Sequence, residues 1–485
     1  MKNLLKILVA FVVIYYFSSC RKENDFNTDA SVKLSFSEDT LLFDTIFTTI
    51  GSTTQYLVVY NKESQPLKIS SIRLAKGSSS SYRMNVDGVA TKSTADVEIG
   101  PKDSLIIFVE ITIDPNNSTT PFLVTDSILF ETNGNLQDVD LVAFGQNAHF
   151  FTPTGNFSGI QYSIIPCNAI WDSILPYVIY GYAVVDSGCK LTITEGTKIY
   201  FYANSGLWVF QGGILKATGS YQHPVTFQGT RLEDSYQDLP GQWDRIWINE
   251  GFGPDSNEID YAIIKNGFIG LQPENLFTAY GQNPRKLRVT NTIIKNMSGF
   301  GMLARDYTVH GVNNVFANCG QYIAALTIGG SYDFLHCTFS NNCLNGGQRT
   351  TPSVYLNNYY SDITGDHAVN LNVANFRNCI IYGNIDNELQ LDFISGANSE
   401  YSFGNCLMKN DTSIHISDAA HFENIISNQD PQFINCSDND YMLDGSSPAI
   451  DAGNGSYLPF NLQLDLDSKL RIAGSAPDLG AYEKQ

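Results

Sequence analysis

Asp362, Asp366 and His367 stand within six residues of one another. By type and spacing they are the side chains of this chain best suited to moving a proton. A carboxylate and an imidazole held close together can divide acid and base roles between them. Tyr359 and Tyr360 lie just upstream and offer flat faces on which a sugar ring can stack. Arg349 adds a planar fork of donors for oxygen acceptors. Asp362, Asp366 and His367 are therefore the candidate catalytic set, and Arg349, Tyr359 and Tyr360 the candidate ligand contacts. A second charged group, Arg231, Glu233, Asp234 and Asp244, flanks Trp243 and Trp247 and reads as ordinary surface charge on a loop. His149, His223, His310, His336, His415 and His421 show no His-x-His or His-x3-His spacing, so no metal site is expected from them.

All six candidates fall in one interruption of a repeat. From Val184 to Gly229 the chain is a series of very short apolar strands, among them Leu191-Thr192-Ile193, Ile199-Tyr200-Phe201 and Val225-Thr226-Phe227, each closed by Gly, Asn or Ser. Strands this short and this regularly broken fit successive faces of a coil that winds and stacks on itself, the pattern of a right-handed parallel β-helix. Asn-terminated strands then recur at Asn266, Asn296, Asn318 and Asn341, at intervals of 30, 22 and 23 residues. Each Asn is expected to end a strand in left-handed geometry and to pair with the Asn of the next coil. Between Asn341 and Cys379 the spacing grows to about 38 residues, so a long polar loop there is expected to shape a groove on the coil wall.

Residues 32–150 read differently, as longer alternating strands such as Tyr56–Tyr60, Ser104–Val109 and Val139–Val142. About seven such strands fit an immunoglobulin-like β-sandwich serving as a spacer. The expected fold class is all-β: a sandwich over 32–150, a β-helix over 160–430 and a closing element over 431–485.

Charge narrows the partners. The net charge of −20 disfavours nucleic acid and polyanionic glycans. Lys2 and Lys6 precede an apolar run from Ile7 to Phe17, too short to span a bilayer and typical of an export signal. Nine Cys are present. Most of the eight after Cys20 are expected as free buried thiols, with Cys167 and Cys189, 22 residues apart, able to stack or to bond.

Several segments resemble known families. Phe17-Ser18-Ser19-Cys20 resembles a bacterial lipobox, which implies cleavage of 1–20, lipidation of Cys20 and a tether over 21–31. The polar, partly acidic run after it resembles the surface-export signal of Bacteroidetes-type lipoproteins. The resemblance implies a lipid-anchored protein of the outer membrane or cell surface, touching the membrane only through its anchor. The coil segment, with Trp243-Asp244-Arg245-Ile246-Trp247-Ile248, resembles exported β-helix proteins of the pectin-lyase-like fold, which include lyases, hydrolases, esterases and adhesins. No Asp-Asp pair and no Gly-His-Gly of the polygalacturonase type occurs. Ser447-Pro448-Ala449-Ile450-Asp451 and the residues up to Glu483 resemble a choice-of-anchor-type C-terminal element. There Asp451, Asp465, Asp478 and Glu483 with Arg471 could form an ion-paired lock, or the acids could hold Ca²⁺; no other cofactor is expected. The expected function is binding of a polysaccharide or surface glycan. The alternatives are a polysaccharide lyase or glycoside hydrolase working through the 349–367 loop, and an adhesive surface protein with no small ligand.

Overall fold

The computed structural model describes residues 25–251, 256–281, 286–343, 349–459 and 462–485. Cys20, the whole of the expected signal segment and the start of the tether lie outside these residues. The chain is all-β, with 50% of residues in strands and 3% in helical turns. It forms two compact units, Met1–Asn147 and Ala148–Gln485.

The first unit has two five-stranded sheets among its described residues. Alternation builds its core. In Ser104–Ile111 the inward Leu105, Ile107, Val109 and Ile111 are buried while Ile106 and Phe108 face out. Leu57, Val59 and Ile107 from one sheet meet Ile69, Phe130 and Leu141 from the other in a single cluster. Pairing is antiparallel except that Thr40–Phe47 runs parallel to Asn135–Gln146. The ten strands exceed the seven expected because polar stretches such as Ser93–Ile99 also pair.

Among its described residues the second unit contains three long sheets of ten, ten and eleven strands, parallel except that Gly155–Phe157 runs antiparallel to Ile160–Ile164, consistent with a β-helix. Each coil visits them in turn. Tyr182–Val185 lies in the first wall, Lys190–Ile193 in the second and Lys198–Phe201 in the third, and the next coil pairs in register above them. Inward residues stack coil on coil, so Phe376 lies 4.8 Å from Phe403, which lies 5.4 Å from Phe422. Cys337, Cys379 and Cys406 stack inside the third wall as free thiols, and Cys319 is also free and buried. The other four Cys are paired, Cys167 with Cys189 and Cys343 with Cys436.

The Asn-to-Asn ladder between coils is carried by other Asn than those expected, while Asn341, not left-handed, accepts the Cys319 amide of the previous coil at 2.8 Å. The corner between the second and third walls is one residue in left-handed geometry, filled by Tyr261, Asn291, Asn313, His336, Asn378, Asn405 and Asn424. That conformation costs most L-residues about 1–2 kcal/mol, and Asn tolerates it best. Within this column Asn313 donates to Asn291 at 3.1 Å, and Asn378 bonds His336 at 3.0 Å. Asn266, Asn296 and Asn318 are left-handed as expected. Their amides nevertheless turn outward, to Gln237, Asp238 and Asn439.

Residues 431–459 and 462–485 lie along the outside of the third wall rather than across the end of the bore. That outer face is apolar and needs cover. Val315 and Ala317 meet Tyr441, Leu466 and Ala481, and Ile380 and Leu407 meet Leu443, Ala449 and Leu479. The last coils are filled instead by Ile414 and Phe422, with Ile416 and Ile425 against them. The acids of this segment clamp backbone. Asp465 accepts the amides of Lys469 and Glu483 at 2.7 Å each, and Asp478 accepts those of Asp451 at 2.7 Å and Lys484 at 2.6 Å. Arg471 is buried and donates to Gly480 O, Ala481 O and the corner residue Asn313, where burial pushes its guanidinium down to about 10. Among the described residues it has no ion pair, so the expected lock is a set of backbone clamps. Burial raises Asp465 and Asp478, and lifts Glu483 to about 7.

The Cys343–Cys436 bond closes a sequence separation of 93 residues and pins this segment to the coils. Chain entropy assigns such a loop about 4.6 kcal/mol. Cys343→Ser is expected to lower the unfolding free energy of the 148–485 unit by about 2–4 kcal/mol in denaturant titration. Identical midpoints for oxidised wild type and variant would contradict the pinning role.

Candidate functional site

The expected insertion is real, and it projects as a two-stranded antiparallel hairpin, Tyr359–Asp362 with Gly365–Ala368. Asp362, Asp366 and His367 are all on it. Asp362 Oδ1 bonds His367 Nε2 at 3.0 Å and the Thr364 hydroxyl at 2.6 Å, while Asp366 accepts from Ser361 at 2.6 Å. The Asp362 and His367 side chains are 46% and 38% exposed. Among the described residues no guanidinium or second carboxylate contacts either one. The trio is a solvated turn network.

Asp362 is held at about 2, first by the Thr364 hydroxyl and amide and then by His367. A carboxylate lowered in the folded state contributes above its ordinary 3.8 and loses that contribution as pH falls toward 2. NMR titration of Asp362 is expected to give a midpoint near 2 in the wild type. In Thr364→Val the midpoint should move up toward the ordinary carboxylate range. An unchanged midpoint in that variant would contradict the assigned cause.

Arg349 does not reach solvent. Its side chain and that of Glu388 are both 0% exposed. It bonds Glu388 through both terminal nitrogens, at 2.8 and 2.5 Å, and also Asn384 and the Thr351 carbonyl. Glu388 further accepts the Ser353 amide and hydroxyl at 2.9 and 2.6 Å. Gly383 makes room for the pair, since a Cβ there would lie 2.1 Å from Glu388 Oε1. Arg349 therefore positions the strand Val354–Asn357 instead of touching a ligand, because an Arg so enclosed turns no donor to the surface.

The tyrosines do gather at a surface. Tyr360 packs on Tyr280 at 4.9 Å and on His367 at 4.8 Å. The segment 275–281 and the hairpin, which both leave the first wall at strand ends, thus form one raised flank. Beside it, Tyr355 and Tyr359 each donate a phenol to Asp392 Oδ2, at 2.7 and 2.8 Å. Tyr322 stacks on Tyr355 at 5.3 Å and on Phe300 at 5.9 Å, and these rings are half-buried. Tyr355 is raised mainly by burial, then by Asp392; Tyr359 is raised first by its bond to Asp392. Both phenols therefore stay protonated donors. Two phenols fix one oxygen of Asp392, and its other oxygen has no partner among the described residues. The arrangement combines flat rings with a fixed acceptor, able to stack a sugar face and take its hydroxyl protons. Among the described residues it has no base–nucleophile pair.

Tyr322 and Asp392 were not candidates in the sequence. They reach Tyr355 through coil stacking, 33 and 37 residues away in the chain. Of the second group, Asp244 accepts from Tyr182 and pairs with Arg245, and Arg231 pairs with Glu233 at 2.9 Å. Among the described residues no three His, Cys, Asp or Glu side chains are placed to hold a metal ion.

No protein-family model matches the chain, and no curated protein matches it. Among solved structures, a family 123 glycoside hydrolase from Clostridium perfringens is similar at 12% identity over 24% of this chain and 27% of its own, with a TM-score of 0.18. A protein of unknown function from Porphyromonas gingivalis W83 is similar at 14% identity over 29% of this chain and 57% of its own, with a TM-score of 0.17. The catalytic domain of a GH87 α-1,3-glucanase in complex with nigerose is similar at 11% identity over 77% of this chain and 88% of its own, with a TM-score of 0.15. This chain thus spans about a quarter of the first of these proteins and just over half of the second.

Proposed function

We propose that this protein is a lipid-anchored protein of the outer membrane or cell surface whose second unit, a right-handed parallel β-helix, binds an uncharged glycan without cleaving it. The first unit, taken as an immunoglobulin-like sandwich, is the spacer. The observation that carries the binding function is Asp392 held by Tyr355 and Tyr359 beside Tyr322. A carboxylate accepts hydroxyl protons and repels uronates, and the net charge of −20 acts in the same direction. Export is supported by the basic and apolar N-terminus ending at Cys20 and by two disulfides, which persist in oxidising compartments. The exposed, unaccompanied Asp362–His367 pair supports binding over catalysis. Laminarin, mannan, dextran and polygalacturonate arrayed against the purified chain test this function. Binding of an uncharged polysaccharide without release of reducing ends is the expected result. Binding of polygalacturonate alone, or of nothing, would overturn it.

A further inference from the structure

The aromatic site is one end of a longer line. Register places Tyr182, Gly206, Arg245, Ile269, Phe300 and Tyr322 on neighbouring strands at the same edge of the first wall. Side chains join them outside the wall. The Tyr182 ring crosses Gly206, where an added Cβ would come within 2.8 Å of it, and its phenol donates to Asp244. Asp244 pairs with Arg245 at 2.9 Å, and Arg245 lies 5.8 Å from the ring of Phe268. Phe268 crosses Gly299, where an added Cβ would lie 2.8 Å from its ring, and Phe300 leads on to Tyr322 and Tyr355. At the far end a cavity of about 660 Å³ is lined by Tyr180, Tyr182, Tyr202 and Ser205. Tyr180 and Tyr202 pack there at 5.0 Å, and Tyr202 is 49% exposed.

Resting on the glycan-binding function above, we infer that the ligand is a polymer lying across the strands of the first wall. One part of it sits at Asp392 and a distant part in the Tyr180–Tyr202 cavity. The line crosses eight strands, from Tyr182–Val185 to Leu389–Asp392. Seven strand spacings make roughly 34 Å, so units that advance about one spacing each need a chain of about seven. An extended peptide is the poorer fit along the line, because the strands from Tyr182–Val185 to Val354–Asn357 are paired on both sides, and only Leu389–Asp392 ends the sheet among the described residues. Aromatic faces beside the acceptor Asp392 suit hydroxyl-rich rings.

The test uses the full chain with laminari-, manno- and xylo-oligosaccharides of two to eight units, by calorimetry. Affinity in the series that binds is expected to rise at least roughly tenfold from trimer to octamer. Tyr180→Ala with Tyr202→Ala should remove that rise and keep the trimer affinity set at Asp392, whereas Tyr322→Ala should weaken both. Thermal melts of the double variant, whose changes are at the surface, confirm that it folds. Equal affinities for trimer and octamer, or an unaltered octamer affinity in the double variant, would overturn the extension and leave the Asp392 site standing. Absence of binding at every length would remove both.

Discussion

Arg349→Ala is expected to lower the unfolding free energy of the 148–485 unit by about 3–5 kcal/mol, the range for removing one partner of a buried ion pair. The magnitude follows from what remains. Glu388 would stay fully enclosed with its charge opposed only by the Ser353 and Ile385 amides and the Ser353 hydroxyl. Uncompensated charge in such a place costs far more than a surface charge. Replacing both partners, Arg349→Met with Glu388→Leu, is expected to cost much less, since two matched apolar side chains remove the charge altogether. Denaturant titration of the three proteins separates the cases. A single variant as stable as the double would show that the pair is not the anchor of this loop. The single variant should also lose glycan affinity although Arg349 touches no ligand, because Ser353 leads into the strand that carries Tyr355.

Asp392→Ala is expected to weaken glycan binding by about 10- to 100-fold, since a hydrogen bond to a charged group contributes about 1.5–3 kcal/mol and each 1.4 kcal/mol is tenfold. Two effects act together. The ligand loses its charged acceptor, and Tyr355 and Tyr359 lose the partner that orients their rings. Asp392→Asn keeps the shape and one acceptor, so an intermediate loss is expected. Asp392 is only half-buried, so the fold should survive both changes. Wild-type affinity in Asp392→Ala would remove this residue from the site.

Much of the scaffold was legible because the coils repeat local signals. Leu191-Thr192-Ile193 and Ile199-Tyr200-Phe201 show short apolar runs closed by turn residues, and the strands form there. In the first unit Thr40–Phe47 and Ser93–Ile99 were not legible, because charged and polar residues interrupt their alternation. The length of the insertion pointed to a long loop, which the structure forms as a hairpin, and Tyr359, read as a ligand contact, lies on it and donates to Asp392. Arg349 was misplaced because its burial depends on Glu388, 39 residues later and one strand over in the wall. Tyr322 and Asp392 were silent for the same reason. Their neighbourhood is set by the register between coils, and nothing within one coil's length signals it. His336 shows the limit from the other side. It takes an Asn position in the corner column, where burial holds its imidazole well below its usual range.

Calorimetric titration of an uncharged polysaccharide, laminarin or mannan, into the wild type and into the Tyr355→Ala, Asp392→Ala double variant tests the central claim most directly. Saturable heat with the wild type and none with an equally stable double variant is the predicted result. Equal binding by both proteins, or release of reducing ends from the polysaccharide, would contradict it.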